Sequence, residues 1–120
     1  MACTGGYVLV VDDDALIRDG VASVLADSGH TVKTTAHGRA ALDFLLDAPP
    51  PAVILLDLMM PVMNGAEFLA NKLRRPVLAA VPVYLMTASA PACLDLRGIE
   101  SILRKPFAPD ELLAIVQRHC

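Results

Sequence analysis

The feature that most constrains this chain is an apolar run, Ala52 to Leu56, that ends at a single acid, Asp57. A run of this length with no polar alternation, bounded by turn residues, predicts a strand buried on both faces. Ligand sites of open parallel sheets lie beyond the carboxyl ends of such strands. Asp57 is therefore predicted to lie at the rim of a sheet, where it can meet a ligand.

Four other segments have the composition of short strands, and apolar residues at helical spacing lie between them. The predicted strands are Tyr7–Val11, Thr31–Thr35, 52–57, Pro82–Met86 and Ser101–Leu103. Five alternations of strand and helix predict an α/β fold, with a parallel sheet, right-handed crossovers and helices on both faces. The second strand is less apolar than the others and is expected at an edge.

The size and charge of the chain limit the number of domains and the classes of protein to which it can belong. Its 120 residues fit one domain, residues 1–120, and its formal net charge of −3 lacks the basic footprint of a nucleic-acid binder. Its three cysteines match no metal or disulfide spacing, which favours a reduced, cytoplasmic setting. No signal peptide or membrane-length apolar run is visible.

Polar residues follow the predicted strands at one edge of the sheet. They are Asp12 and Asp13 after strand one, Asp57 in strand three, Thr87 after strand four and Lys105 after strand five. Each alone has an ordinary explanation, as a helix cap, a backbone-bonded hydroxyl or a solvated lysine. Five ordinary explanations at the same edge are jointly improbable, so we interpret these residues as one site.

The chemistry of this group favours a bound cation. Carboxylates about 4 Å apart repel by about 4 kcal/mol per pair at an effective dielectric near 20. Lys105 offsets part of that charge, and a hard divalent ion such as Mg²⁺, bound through carboxylates and water, would offset the rest. Asp57 could then act as a nucleophile toward a phosphoryl group, whose oxygens the metal, Lys105 and Thr87 would hold.

Four segments in this order resemble the receiver domain of two-component response regulators, of the chemotaxis-regulator type, over essentially the whole chain. They are Val-Leu-Val-Val-Asp-Asp-Asp at 8–14, Leu-Leu-Asp-Leu-Met-Met-Pro-Val-Met-Asn-Gly at 55–65, Leu-Met-Thr-Ala at 85–88 and Arg-Lys-Pro-Phe at 104–107. The resemblance implies a flavodoxin-like, doubly wound sheet of five strands in the order 2-1-3-4-5.

The resemblance also implies roles for the site residues. Asp57 would be the phosphoacceptor, and Asp12, Asp13, Asp57 and the backbone carbonyl of Met59 would bind Mg²⁺ or Mn²⁺. Thr87 would be the switch hydroxyl, with the small Ala88 beside it leaving room. Lys105 would bind the phosphoryl group, and the bond from Lys105 to Pro106 would be a candidate for cis.

The implied function is a phosphorelay switch rather than a turnover enzyme. The chain would take a phosphoryl group from a histidine kinase or a histidine phosphotransfer protein and present a changed surface to an unknown output protein. No nucleic-acid or membrane contact is expected, and a monomer or weak dimer in the cytoplasm is expected. Whether the receiver stands alone or belongs to a longer protein is left open.

Two departures from the family pattern concern the output side of the domain. Residues 88–104 leave little room for the family's fourth helix, which is expected to be short or irregular between Pro91 and Gly98. Ile102 replaces an aromatic residue that commonly changes rotamer when the hydroxyl moves. We therefore expect phosphorylation at Asp57 with readout through an altered surface.

Two other functions compete with the switch. The output departures would suit a phosphorylation-independent interaction module on the same fold, although the intact acids, Thr87 and Lys105 oppose it. A small enzyme or nucleotide-binding domain is disfavoured, because the chain has neither GxGxxG nor GxxxxGK[ST].

Overall fold

Five parallel strands form one sheet in the order β2-β1-β3-β4-β5. The computed structural model describes residues 6–58, 65–88 and 99–119. The strands are β1 (Val8–Val11), β2 (Val32–Thr35), β3 (Val53–Asp57), β4 (Val83–Thr87) and β5 (Ser101–Arg104). All five predicted strands and their order are thus confirmed, with ends shifted by one residue at several of them. The less apolar β2 lies at an edge, as expected.

Five helices cover the two faces of the sheet in the described part of the chain. They are α1 (Ala15–Asp27), α2 (Gly38–Asp47), α3 (Gly65–Leu73), α4 (Pro76–Ala79) and α5 (Pro109–His119). Alternate residues of each central strand point to opposite faces, so an unbroken apolar run supplies both cores. Leu9 and Leu56 pack in the core under α2, α3 and α4, whereas Val10 and Leu55 pack under α1 and α5.

The helix ends explain several residues that precede or follow the helices. Asp14 accepts hydrogen bonds from the backbone N–H groups of Leu16 and Ile17 and so caps the start of α1. Gly29 ends α1 with a φ of 88°, a left-handed conformation that favours glycine. At α5, the Glu111 carboxylate accepts from the backbone N–H of Ala108.

Each of the three histidines has a structural position in the fold. His37 caps α2 by accepting from the backbone N–H of Ala40 through Nδ1. His30 is buried, and His119 Nε2 lies 2.8 Å from the hydroxyl oxygen of the buried Tyr84. None of the three lies in a group of metal-ligating side chains among the described residues.

The connection from α3 to β4 differs from expectation. It contains the four-residue helix α4, which the sequence did not predict, because so short an element has no apolar period. The fully buried Lys72 donates from Nζ to the carbonyl of Ala79, the last residue of α4, at 3.1 Å. The expected short helix between Pro91 and Gly98 lies outside the described residues. No helix in the described ranges has the length and apolarity that a membrane span requires.

Candidate functional site

Three carboxylates converge at the carboxyl edge of the sheet. In the register of β1 and β3, Val11 pairs with Leu56. Asp12 follows Val11 and Asp57 follows Leu56, so the two acids are neighbours. Asp12 and Asp57 are buried, and Asp13 is exposed. Each of the three offers an oxygen within 4.8 Å of the others. The parallel topology thus brings together acids that are 45 residues apart in the chain, as the sequence predicted.

Lys105 lies across from these acids. Its backbone N–H follows β5 and donates to the carbonyl of Thr87 at 2.9 Å, which continues the pairing with β4. Its Nζ lies 2.9 Å from Asp12 Oδ2 and 3.5 Å from Asp57 Oδ1. Burial alone would lower the pKa of Lys105, but the hydrogen bonds and charges of Asp12 and Asp57 raise it above its usual range. The side chain is therefore held as an ammonium between two carboxylates.

The carboxyl group of Asp57 ionises with difficulty in the absence of a cation. Burial is the main cause, and the nearby charge of Asp12 and a hydrogen bond with Asp13 act in the same direction. Together they raise the pKa of Asp57 from 3.8 to about 6, although Lys105 opposes the rise. The ammonium of Lys105 therefore does not offset the combined effect of burial and of the neighbouring acids on Asp57.

Asp12 is held at several of its atoms. Its Oδ1 accepts from the backbone N–H of Asp14 at 2.9 Å, and its Oδ2 accepts from Lys105. Its backbone carbonyl accepts from Nη1 of Arg18, also at 2.9 Å. Sequence reasoning did not select Arg18. The available signal was a cation near the amino end of α1, where the helix dipole disfavours positive charge.

The switch residues of the predicted site are partly placed by the structure. Asp57 pairs with Met86, so the buried Thr87 lies one residue beyond it at the same edge, followed by the exposed Ala88. Ile102 lies on β5 opposite Leu85, and 37% of its surface is exposed. Met59 lies outside the described residues. The bond between Lys105 and Pro106 is cis, which confirms that expectation.

Gly65 is a constraint on the site that sequence reasoning treated only as a chain break. Its backbone N–H donates to the carbonyl of Leu58 at 2.9 Å, which joins the start of α3 to the residue after Asp57. A Cβ at this position would lie 3.0 Å from the backbone oxygen of Asp57 and 3.1 Å from Cα of Leu58. The start of α3 therefore packs directly on the strand end that carries Asp57.

The donor set suits a divalent cation. Three carboxylates with oxygens this close form a hard, oxygen-only group, which is the type of ligand that Mg²⁺, Mn²⁺ and Ca²⁺ prefer. The difficulty of ionising Asp57 beside Asp12 gives an independent reason for added positive charge. The site is a cluster of acids that could bind a metal.

Comparisons with known proteins agree with this geometry. The family model of the response regulator receiver domain matches residues 8–117. The alkaline phosphatase synthesis transcriptional regulatory protein SphR of Synechococcus elongatus is 37% identical, over 94% of this chain and 48% of that protein. The phosphate regulon transcriptional regulatory protein PhoB of Escherichia coli is 33% identical, over 92% of this chain and 49% of that protein. The chain thus spans about half the length of these curated relatives.

Solved structures share the whole fold. Chemotaxis protein CheY4 of Vibrio cholerae superposes with a TM-score of 0.87 at 34% identity, covering 96% of this chain and 98% of that one. The receiver domain of the sensor histidine kinase PA1611 from Pseudomonas aeruginosa, which has a magnesium ion in its active-site cleft, gives 0.87 at 27% identity and covers 97% and 98%. The chain accordingly belongs to the response regulator receiver domain family of two-component systems.

Proposed function

We propose that Asp57 accepts a phosphoryl group from a phosphohistidine of a histidine kinase or a histidine phosphotransfer protein. A carboxylate oxygen of Asp57 forms a bond to phosphorus while the phosphorus–nitrogen bond of the donor breaks, and the imidazole leaves with the electron pair. The observation that carries the proposal is the position of Asp57, a nearly buried carboxyl at a strand end with the ammonium of Lys105 3.5 Å away. Receiver domains interact with histidine kinases, which supports this class of donor.

Mg²⁺ is the proposed cofactor, and Mn²⁺ fits the same donors. The carboxylates of Asp12, Asp13 and Asp57 would hold it, together with the backbone carbonyl of Met59 that the family resemblance implies. When bound, the ion supplies positive charge to the phosphoryl oxygens and lowers the cost of ionising Asp57. The magnesium ion in the PA1611 receiver domain supports the choice of metal.

Lys105 and Thr87 are the proposed ligands of the transferred phosphoryl group. The Lys105 ammonium already contacts an oxygen of Asp57, so a phosphoryl group added to Asp57 would lie within its reach. Thr87 ends the neighbouring strand and would donate its hydroxyl, while the small side chain of Ala88 leaves space beside the group. Lys105 would offset the negative charge of the phosphoryl group, and Lys105 and Thr87 together would hold the group in position. The acyl phosphate is later hydrolysed on the same chain.

The proposed output is a protein-interaction surface on β5 and α5, the part of the family's output face that lies in the described residues. A movement of Thr87 toward the phosphoryl group would pull on β5, because Lys105 N–H is bonded to the Thr87 carbonyl. Ile102 lies on this face with 37% of its surface exposed and has no ring that could turn inward. We therefore propose that the surface responds through strand position rather than through a rotating aromatic side chain.

Intact-mass measurement after incubation with acetyl phosphate and Mg²⁺ tests the phosphoacceptor. The wild-type protein and the control Asp43→Asn, altered at an exposed acid of α2, should each gain one phosphoryl group. Asp57→Asn should gain none. A phosphoryl group on Asp57→Asn would move the site elsewhere. No gain in the wild-type protein would instead favour a phosphorylation-independent interaction module.

A further inference from the structure

Arg18 reaches back from α1 to the residue that follows β1. It is the fourth residue of the helix, and its Nη1 donates to the backbone carbonyl of Asp12 at 2.9 Å, across six positions of the chain. Asp12 is completely buried. A buried carbonyl without a donor is unfavourable, so this bond satisfies a group that would otherwise have no hydrogen-bond donor among the described residues.

The contact places a permanent positive charge where the helix alone would disfavour it. Cations are destabilising near the amino end of a helix, because the exposed N–H groups there already carry positive character. Three carboxylates lie immediately beyond this end of α1, which reverses that preference. A guanidinium offers several donors in a fixed plane, so Arg18 can hold the Asp12 carbonyl in one orientation as well as supply positive charge.

We infer that Arg18 is a positioning residue for the metal site, acting through the backbone of Asp12. The side chain of Asp12 is already oriented from its other end by Asp14 N–H and Lys105 Nζ. The hydrogen bond from Arg18 to the Asp12 carbonyl holds the backbone of Asp12 in place as well. Asp13 is attached directly to that carbonyl carbon, so the same contact restrains the exposed acid of the cluster.

The consequence concerns the affinity for the cation. Partners that orient a metal ligand typically change metal affinity by about tenfold or more when they are removed. Lysine keeps the charge of Arg18 but loses the planar fork, whereas glutamine loses the charge and keeps an amide donor. If direction matters, both substitutions should weaken Mg²⁺ binding, and the lysine variant should not behave as wild type.

Calorimetric titration with Mg²⁺ tests the inference, which rests on the proposed role of the three acids as metal ligands. Wild type, Arg18→Lys, Arg18→Gln and the control Arg39→Lys, an exposed arginine of α2, are titrated at neutral pH under conditions where circular dichroism shows each to be folded. We expect both Arg18 variants to bind Mg²⁺ roughly tenfold more weakly, with Arg39→Lys unchanged. Although Arg18→Lys keeps the positive charge, it should not recover the wild-type affinity.

The outcomes separate the inference from the proposed function. If wild-type protein binds no Mg²⁺, the proposed metal site itself fails, and the inference with it. If wild type binds and Arg18→Lys binds equally well, the fixed geometry of the guanidinium is not needed and the positioning role is overturned. If both variants lose thermal stability but keep the wild-type Mg²⁺ affinity, Arg18 supports the fold alone and the inference is wrong.

Discussion

At the scale of single residues, the site is defined by opposing effects on the ionisation of Asp57. Burial and the negative charge of Asp12 disfavour the carboxylate, and the positive charge of Lys105 favours it. The carboxyl group has its pKa raised to about 6 by burial and by Asp12, in spite of the ammonium of Lys105. The folded protein therefore binds a proton at Asp57 more tightly than the unfolded chain does. The stabilisation that protonation provides is complete below about pH 4 and is lost as the pH rises through about 6.

Asp57→Asn should consequently stabilise the metal-free protein at neutral pH. We expect its free energy of unfolding to exceed that of wild type by about 1 to 3 kcal/mol at pH 7.5, and the difference to vanish near pH 4. Urea denaturation across this pH range in the presence of a chelator measures the effect. The exposed Asp19→Asn on α1 is the control, with little change expected. A constant difference between wild type and Asp57→Asn at all pH values would contradict the account.

The residues of the site differ in how far the sequence could predict them. Asp12, Asp57 and Lys105 were predictable, because each is polar at the end of an apolar strand and parallel strands end at one edge. Arg18 and Gly65 were not, because they act on backbone carbonyls. Which carbonyl lies within reach of a side chain depends on the packing of a helix against a strand end, and no periodicity in the sequence encodes that.

At the scale of elements, α3 is seated on the end of β3. A methyl group at Gly65 would press on backbone atoms of Asp57 and Leu58 at 3.0 and 3.1 Å. These are backbone atoms at the end of β3 and just beyond it, and they cannot turn aside as a side chain would. The position of α3 and the orientation of Asp57 are therefore coupled through contact rather than through hydrogen bonding alone.

Gly65→Ala should destabilise the protein by about 1 to 3 kcal/mol, because the start of α3 must shift to accommodate the new methyl group. Thermal or urea unfolding measures the loss. Gly20→Ala is the matched control, since a Cβ there meets no atom within 4 Å and lies in the middle of α1. That control should gain up to about 1 kcal/mol from the better helix propensity of alanine. Equal effects of the two substitutions would show that the contact at Gly65 is not restrictive.

Near the end of α3, Lys72 carries a buried amine that has no carboxylate partner in the described part of the chain. Burial lowers the pKa of Lys72, and its Nζ donates to the Ala79 carbonyl. The folded state thus holds the proton less readily than the unfolded chain. The resulting penalty is full below the folded-state pKa and fades as the pH rises toward the ordinary value of 10.5.

Lys72→Met should therefore raise stability at pH 7 by about 1 kcal/mol, because methionine fills a similar volume without a charge to desolvate. The advantage should shrink as the pH rises toward 10.5 and be lost above it, where the amine becomes neutral in both states. Urea titrations at the two pH values measure it, with the exposed Lys33→Met on β2 as control. A loss of stability at pH 7 would mean that the bond to Ala79 outweighs the desolvation of the ammonium.

At the scale of the whole molecule, the strand order places the acids of β1 and β3 in the centre and Lys105 at the end of the outer strand β5. The resemblance to receiver domains implied this order, whereas the alternation of strands and helices predicted only a parallel sheet and the more polar second strand an edge position. The short helix α4 escaped prediction, since four residues carry no helical period. A change at Asp57 can reach β5 through β4, which lies between them.

A phosphoryl mimic should reveal this route. Beryllofluoride with Mg²⁺ is expected to shift the backbone amide resonances of β4, β5 and α5 in the wild-type protein. The shifts should include Ile102, although it lacks an aromatic ring. Asp57→Asn should show no such change under the same conditions. Identical spectra of the wild type with and without the mimic would contradict a conformational switch on this face.

Chemical trapping of the phosphorylated residue tests the central claim most directly. The protein is treated with acetyl phosphate and Mg²⁺, reduced with borohydride, which converts an aspartyl phosphate to homoserine, and mapped by peptide mass spectrometry. The account predicts conversion of Asp57 alone, dependent on Mg²⁺ and absent from Asp57→Asn. Conversion at Asp12 or Asp13, or no conversion at any residue, would contradict it.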